Sequence, residues 1–193
     1  MLKAGDFFLT GNTGGVAAAF VPWGKAYAGV APAHIFHYAG TETLRIGNQQ
    51  TKVVRFGSGI DLAIFPVFAA CEPTDLGKPQ LGNAELVNAR TRMGCRISDV
   101  SWSIAYVSLQ PGNPPGPGDS GTPLIQDGKV VGMLLSLSMH TWKGIVMNAE
   151  LIKSEARMLF QPTKMILGNY LCLTGVCGIE KSQWARIFGQ SNV

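Results

Sequence analysis

Pro111-Gly-Asn-Pro-Pro-Gly-Pro-Gly-Asp-Ser-Gly-Thr-Pro-Leu124 is the stretch around which the chain is organised. At its centre, Gly118-Asp119-Ser120-Gly121 places glycines on both sides of a single serine. Glycine lets the backbone turn sharply and leaves its N–H groups unscreened by a Cβ. A serine held there presents its hydroxyl, with the N–H groups of Gly118 and Ser120 aimed at one point. That arrangement suits a nucleophile beside an oxyanion hole. The plainer alternative is a Gly/Pro turn leading into a strand, so the rest of the chain must supply partners for Ser120.

Working outward, 193 residues that are 46% hydrophobic can bury a substantial core as one domain or two small halves. Gly 24 and Pro 11, with little helical periodicity before residue 149, point to an all-β architecture. The net charge of +4 requires neither nucleic acid nor a membrane as partner. Cys71, Cys95, Cys172 and Cys177 have no metal-ligand spacing and read as reduced thiols, so no metal site is expected. No stretch has the apolar core of a signal peptide or the roughly 18 apolar residues of a membrane span. The expectation is a cytoplasmic protein with no transmembrane segment.

Short strands are expected at residues 6–9, 15–21, 25–31, 43–46, 51–56 and 61–67, about six in all and enough for one small barrel. Residues 71–82 are turn-rich and read as a linker between residues 1–70 and 83–160. Beyond the linker, strands are expected at 84–89, 94–98, 101–109, 122–125, 129–139 and 143–147. Leu135, Leu137 and Met139 alternate with Ser136 and Ser138, as in a strand with one polar face. Asn148 is placed to cap a helix over 149–160, whose Ile152, Ala156, Leu159 and Phe160 share one face. Pro162 ends it, and residues 161–193 form an extension to which no role is assigned.

A serine hydroxyl needs a base to take its proton, and histidine suits neutral pH. Of His34, His37 and His140, His34 stands where an apolar strand runs into a turn, a place from which a side chain can be rigidly aimed. His37 falls one helical turn on and faces elsewhere. The imidazole needs a carboxylate to fix its tautomer. Asp61 heads the apolar run Leu62 to Val67, where a carboxylate needs a paired donor to offset its desolvation. The alternatives are a surface histidine for His34 and a turn or cap role for Asp61.

Together, Ala31-Pro-Ala-His34, Asp61-Leu-Ala-Ile64 and Gly118-Asp-Ser-Gly121 resemble, in order, the triad strings of chymotrypsin/trypsin-like serine proteases. Thr122-Pro-Leu124 and Gly128-Lys-Val-Val-Gly132 continue the likeness, which spans roughly residues 7 to 160. The resemblance implies two six-stranded antiparallel barrels with a C-terminal helix and short extension. It implies a serine endopeptidase in which His34 is the base, Asp61 its orienter and Ser120 the nucleophile, with no cofactor. The Ile-Val-Gly-Gly amine that pairs with the aspartate before the serine in secreted members has no counterpart, so Asp119 must be held otherwise. Compact barrels without disulfides look more like HtrA-type bacterial proteases or the polyprotein proteases of positive-strand RNA viruses. The viral reading makes the chain's own polyprotein a substrate and host cytoplasm its location.

In that family the loop before the nucleophile and the strand after it wall the specificity pocket. Here they offer Pro114, Pro115, Leu135 and Leu137, with His140 included if the strand bends. Pro114 stands where trypsin-like enzymes carry an acid, so a Lys or Arg of the substrate would be buried unpaired. An apolar or shallow pocket is expected instead. Arg90, Arg92 and Arg96 form a basic cluster, read as a solvated face with RNA phosphate as the alternative partner. A protease fold that binds without cutting is the rival function from another class.

Overall fold

In the computed structural model, which describes residues 1–160, 165–167 and 170–172, the first half has eight short strands. They are β1 (Phe7–Thr10), β2 (Thr13–Val16), β3 (Ala19–Trp23), β4 (Ala26–Ala31), β5 (Thr43–Ile46), β6 (Gln49–Lys52), β7 (Arg55–Phe56) and β8 (Ala63–Val67). One seven-residue helix, α1 (Ala33–Ala39), follows β4. The strands form two four-stranded sheets, ordered β2-β1-β5-β6 and β3-β4-β8-β7, and neither closes on itself. The expected six-stranded first barrel is therefore corrected to two open sheets.

The correction has a local cause. Each of two expected strands breaks where the chain crosses from one sheet to the other. Ala17 donates its N–H to Asp6 O beside β1, while its neighbour Ala18 donates to Val30 O in β4. In the same way Val53 bonds Glu42 O beside β5, and Val54 bonds Ile64 O in β8. Sheets packed at a steep angle use such corners, where one strand changes sheets. Between β6 and β8, where a ladder would complete a barrel, Pro66 has no N–H to give. Its carbonyl instead accepts from Gln49 Nε2 (3.1 Å) and Thr51 Oγ1 (2.8 Å). Gln49 Oε1 accepts the N–H groups of Phe68 and Ala69, so side chains bridge the gap. Phe8, Phe20, Phe36 and Phe65 fill the core between the sheets, with Phe8 stacked on Phe36 at 5.4 Å.

The second half does close. Strands β9 (Gly82–Val87), β10 (Arg92–Val100), β11 (Ile104–Leu109), β12 (Pro123–Gln126), β13 (Lys129–Ser138) and β14 (Lys143–Asn148) form a barrel ordered β10-β11-β14-β13-β12-β9. Strand β9 completes the ring by pairing with both β10 and β12. Leu86, Ile97, Val107, Leu124 and Val146 are fully or almost fully buried inside it.

A third core joins the halves. Ala19, Val30 and Ile64 from the first half meet Met133, Met147, Leu151 and Ile152 from the second. The last two sit on helix α2 (Ala149–Phe160), whose first turn is capped by Asn148 Oδ1 accepting the Glu150 N–H at 2.9 Å. Ile152 and Ala156 of the expected apolar face are buried. From α2, Glu155 reaches across to Arg55 of β7 at 2.9 Å, with both side chains 12% exposed. A small hairpin, β15 (Met165–Leu167) with β16 (Tyr170–Cys172), follows. The side chains of Leu159, Phe160 and Cys172, and the rest of the expected 161–193 extension with Cys177, lie outside the described residues.

Candidate active site

His34 owes its place to a break in the chain. Strand β4 ends at Ala31, and Pro32, extended at ψ 137°, occupies the cap position of α1 without a side chain able to accept the first N–H groups. Asp61 takes over that task from the turn before β8. Its Oδ1 accepts the backbone N–H of His34 at 2.8 Å, and its Oδ2 lies 2.6 Å from His34 Nδ1. One carboxylate thus caps the helix and fixes the imidazole ring. Burial alone would raise the Asp61 pKa. The hydrogen bonds from the His34 ring and backbone, with the histidine's charge, outweigh that and hold it below the ordinary carboxylate value. Because Nδ1 faces a carboxylate, it carries the ring proton, and the Nε2 lone pair is left for other work.

The other two histidines do not join this pair. His37, one helical turn on, stacks on Phe56 at 5.2 Å. His140 stands in the exposed turn between β13 and β14.

Ser120 sits in a loop whose shape the glycines permit. Gly118 has φ +86° and Gly121 φ +96°, both in the region that side chains rarely adopt. Between them, the Asp119 N–H donates to Gly116 O, and the Thr122 N–H donates to Asp119 O. Among the described residues, the N–H groups of Gly118 and Ser120 have no acceptor. Two such donors in one turn are able to receive a developing negative charge. The Ser120 hydroxyl makes no hydrogen bond among the described residues either.

This loop is pinned to the first half. The Val16 N–H donates to Ser120 O at 2.9 Å. Gly121 lies so close that a Cβ there would stand 2.0 Å from Val16 O and 3.0 Å from Pro32 Cδ. A Cβ on Gly15 would meet both Ile35 Cδ1 and Ser120 O. The Ser120 loop therefore rests against residues flanking His34, Pro32 and Ile35.

Next to Ser120 opens a cavity of about 260 Å³, walled by Pro115, Gly116 and Pro117 on one side and by Leu134 to Leu137 with Met139 on the other. Pro115, Leu135 and Leu137 of the sequence-derived pocket residues line it. Pro114 and His140 do not, and among the described residues Ser136 is the only polar side chain in the wall besides Ser120. The Arg cluster is drawn into other contacts. Arg90 lies over the Phe7 ring at 3.7 Å, Arg92 pairs with Glu85 at 3.0 Å, and Arg96 is exposed. Cys71 and Cys95 are free, buried thiols, and burial, helped by the Glu85 charge, pushes Cys95 up to about 12. Among the described residues no cluster of His, Cys, Asp and Glu could hold a metal ion, and no helix is long and apolar enough to cross a membrane.

What sequence reading missed is the support for Asp119. Its Oδ2 accepts the Gly116 N–H at 2.7 Å, and its Oδ1 accepts from Asn88 Nδ2 at 3.2 Å. Asn88 is 31 residues away in the β9–β10 turn. The only local signal at Asn88 is that of a turn-forming residue.

The fold has many counterparts among solved structures. A glutamic-acid-specific serine protease that uses a histidine triad in substrate binding superposes with TM-score 0.67 at 12% identity, over 81% of this chain and 98% of the other. The active form of the Rv3671c protease from M. tuberculosis gives 0.62 at 17% identity, over 88% and 86%. The NSP4 proteinase from equine arteritis virus gives 0.51 at 18%, over 74% and 70%. No protein-family model and no curated protein sequence matches the chain. The architecture is thus the chymotrypsin-like fold of serine proteases.

Proposed function

We propose that this chain is a serine endopeptidase, with Ser120 as nucleophile, His34 as general base and then acid, and Asp61 as its orienter. The observation that carries the reading is Asp61 holding both the ring and the backbone of His34, in a fold where the Ser120 loop rests beside that pair. Ser120 Oγ attacks the scissile carbonyl carbon while its proton passes to His34 Nε2. The oxyanion that forms is received by the N–H groups of Gly118 and Ser120. His34 then returns the proton to the leaving amine as the C–N bond breaks, and water hydrolyses the acyl-enzyme by the same steps in reverse. The Ser120 hydroxyl turns onto Nε2 when substrate fills the site, since such bonds are commonly long in free enzymes.

Specificity follows from the cavity beside Ser120. With no charged side chain in its wall among the described residues, a Lys, Arg, Asp or Glu of the substrate would be desolvated without a partner, so an apolar side chain is preferred. No histidine lines the cavity, so the glutamate preference of the neighbour with a histidine triad is not expected here. A polyprotein substrate and a reducing, cytoplasmic setting belong to this proposal, supported by the likeness to a viral proteinase and by the free thiols of Cys71 and Cys95. The test is labelling by a fluorophosphonate and turnover of a peptide library. Both should be lost in Ser120→Ala, and persistent labelling elsewhere in the chain would sink the assignment.

A further inference from the structure

We infer that Asn88 is a positioning residue for the oxyanion loop, and that the β9–β10 turn latches this loop in its working shape. The inference rests on the reading of Ser120 as nucleophile, but its structural part can be tested apart from turnover.

Asn88 uses both of its side-chain polar atoms. Its Oδ1 accepts the N–H groups of Arg90 and Thr91 at 2.8 and 2.9 Å, which shapes the turn. Its backbone N–H donates to Thr91 O. That leaves Nδ2, which donates to Thr122 Oγ1 at 2.7 Å and Asp119 Oδ1 at 3.2 Å. Both acceptors are buried, Asp119 at 8% and Thr122 at 0% exposure. Thr122 Oγ1 in turn donates to Asp119 O at 2.7 Å. The residue before the nucleophile is therefore gripped by its carboxylate and by its carbonyl. The carboxylate's second oxygen holds Gly116 N–H, so the grip extends to the pocket wall.

The same turn holds the loop a second time. Thr91 Oγ1 donates to Asn113 O at 3.0 Å, on the far side of the proline run. The two tethers, at residues 113 and 119, bracket Pro114 to Gly118. The turn itself is braced from the first half, because Ala89 donates its N–H to Gly5 O and Arg90 covers the Phe7 ring. The consequence concerns the two free donors. With Asp119 fixed on both sides, the Gly118 and Ser120 N–H groups are aimed before substrate arrives, and no reorganisation is needed as charge develops. Released, Asp119 would be free to rotate and carry them off target.

Asn88→Asp tests this with little change of shape. It keeps the oxygen that shapes the turn but sets a second carboxylate against Asp119. We expect kcat to fall by about 10- to 100-fold with KM changed by less than about threefold, the pattern of a lost transition-state contact. Fluorophosphonate labelling of Ser120 should slow in step. Exchanging the pair, Asn88→Asp with Asp119→Asn, restores an amide-to-carboxylate bond and should recover at least about fivefold of the lost kcat. Hydrogen exchange of the Gly116, Asp119 and Thr122 amides should quicken in Asn88→Asp whether or not the protein turns over. Unchanged kcat and unchanged exchange in a folded Asn88→Asp would overturn the latch, as would an exchanged pair no better than the single variant. Should Asn88→Asp fail to fold, Thr91→Val cuts the other tether. A severalfold lower kcat then supports the latch, and a wild-type kcat refutes it. A wild-type chain that never labels at Ser120, yet shows the exchange effect in Asn88→Asp, would refute the protease reading and leave the latch standing.

Discussion

The two halves contribute to the site by different means. In the first, where eight strands make two open sheets, the contribution is made by side chains. His34 and Asp61 meet directly, and the carboxylate doubles as the cap of α1. In the second, a closed six-stranded barrel, it is made chiefly by backbone. The Ser120 loop turns on two glycines with positive φ and leaves two N–H groups without an acceptor among the described residues. An open pair of sheets tolerates a helix inserted between β4 and β5, and that helix carries the histidine. A closed barrel instead offers a stiff rim on which a loop can be held to fractions of an ångström, the tolerance that aimed donors need.

Each contribution can be broken separately. The largest effect is expected from Asp61→Asn, which removes the charge and inverts the tautomer preference of His34. kcat should fall by about 10⁴, and the backbone cradle should leave a residual rate above water. Peptide hydrolysis against a Ser120→Ala blank measures this, and a loss of less than tenfold would count against the orienting role. The same variant has a pH signature. The Asp61 pKa is depressed in the folded state, so ionised Asp61 adds stability that is full above its unfolded value. That stability is lost as pH falls through the folded value. The stability gap between wild type and Asp61→Asn, read from urea unfolding, should narrow once pH drops below about 4.

Gly121→Ala attacks the seam instead. Its Cβ would collide with the Val16 carbonyl at 2.0 Å, and φ +96° adds strain, so a loss of more than about 3 kcal/mol is expected. Equal stability in thermal unfolding would show that the halves separate there at little cost. Next comes Glu155→Gln, which leaves Arg55 facing a neutral partner in a largely buried place. About 2 kcal/mol should be lost with kcat nearly unchanged, since what the pair does is fasten α2 to β7. A change in kcat larger than the change in stability would instead link α2 to the site.

Much of this was legible in the chain because it depends on neighbours in sequence. Strand β5 was expected at its observed bounds, and so was α2 with Asn148 as its cap, for apolar spacing and a capping side chain act within a turn or two. The two sheet corners were not legible. Ala17-Ala18 continues an apolar run without a break, and Val53-Val54 is as good a strand as its flanks. Only the crossing of partners, Asp6 against Val30 and Glu42 against Ile64, shows the turn. The resemblance pointed to Pro114 as part of the pocket, whereas the cavity beside Ser120 is walled by Pro115 to Pro117.

By itself, then, the sequence determined the residue types and order of His34, Asp61 and Ser120, the β character of the chain, and the glycines that let the Ser120 loop turn. These are matters of residue type and short spacing. Tertiary structure alone decided that the first half stays open, that Val16 and Gly121 form the seam beside Ser120, and that Asp119 is answered by Asn88. A hydrogen bond spanning 31 residues depends on the register of β9, β10 and β12 around a closed barrel, and no local pattern encodes that register.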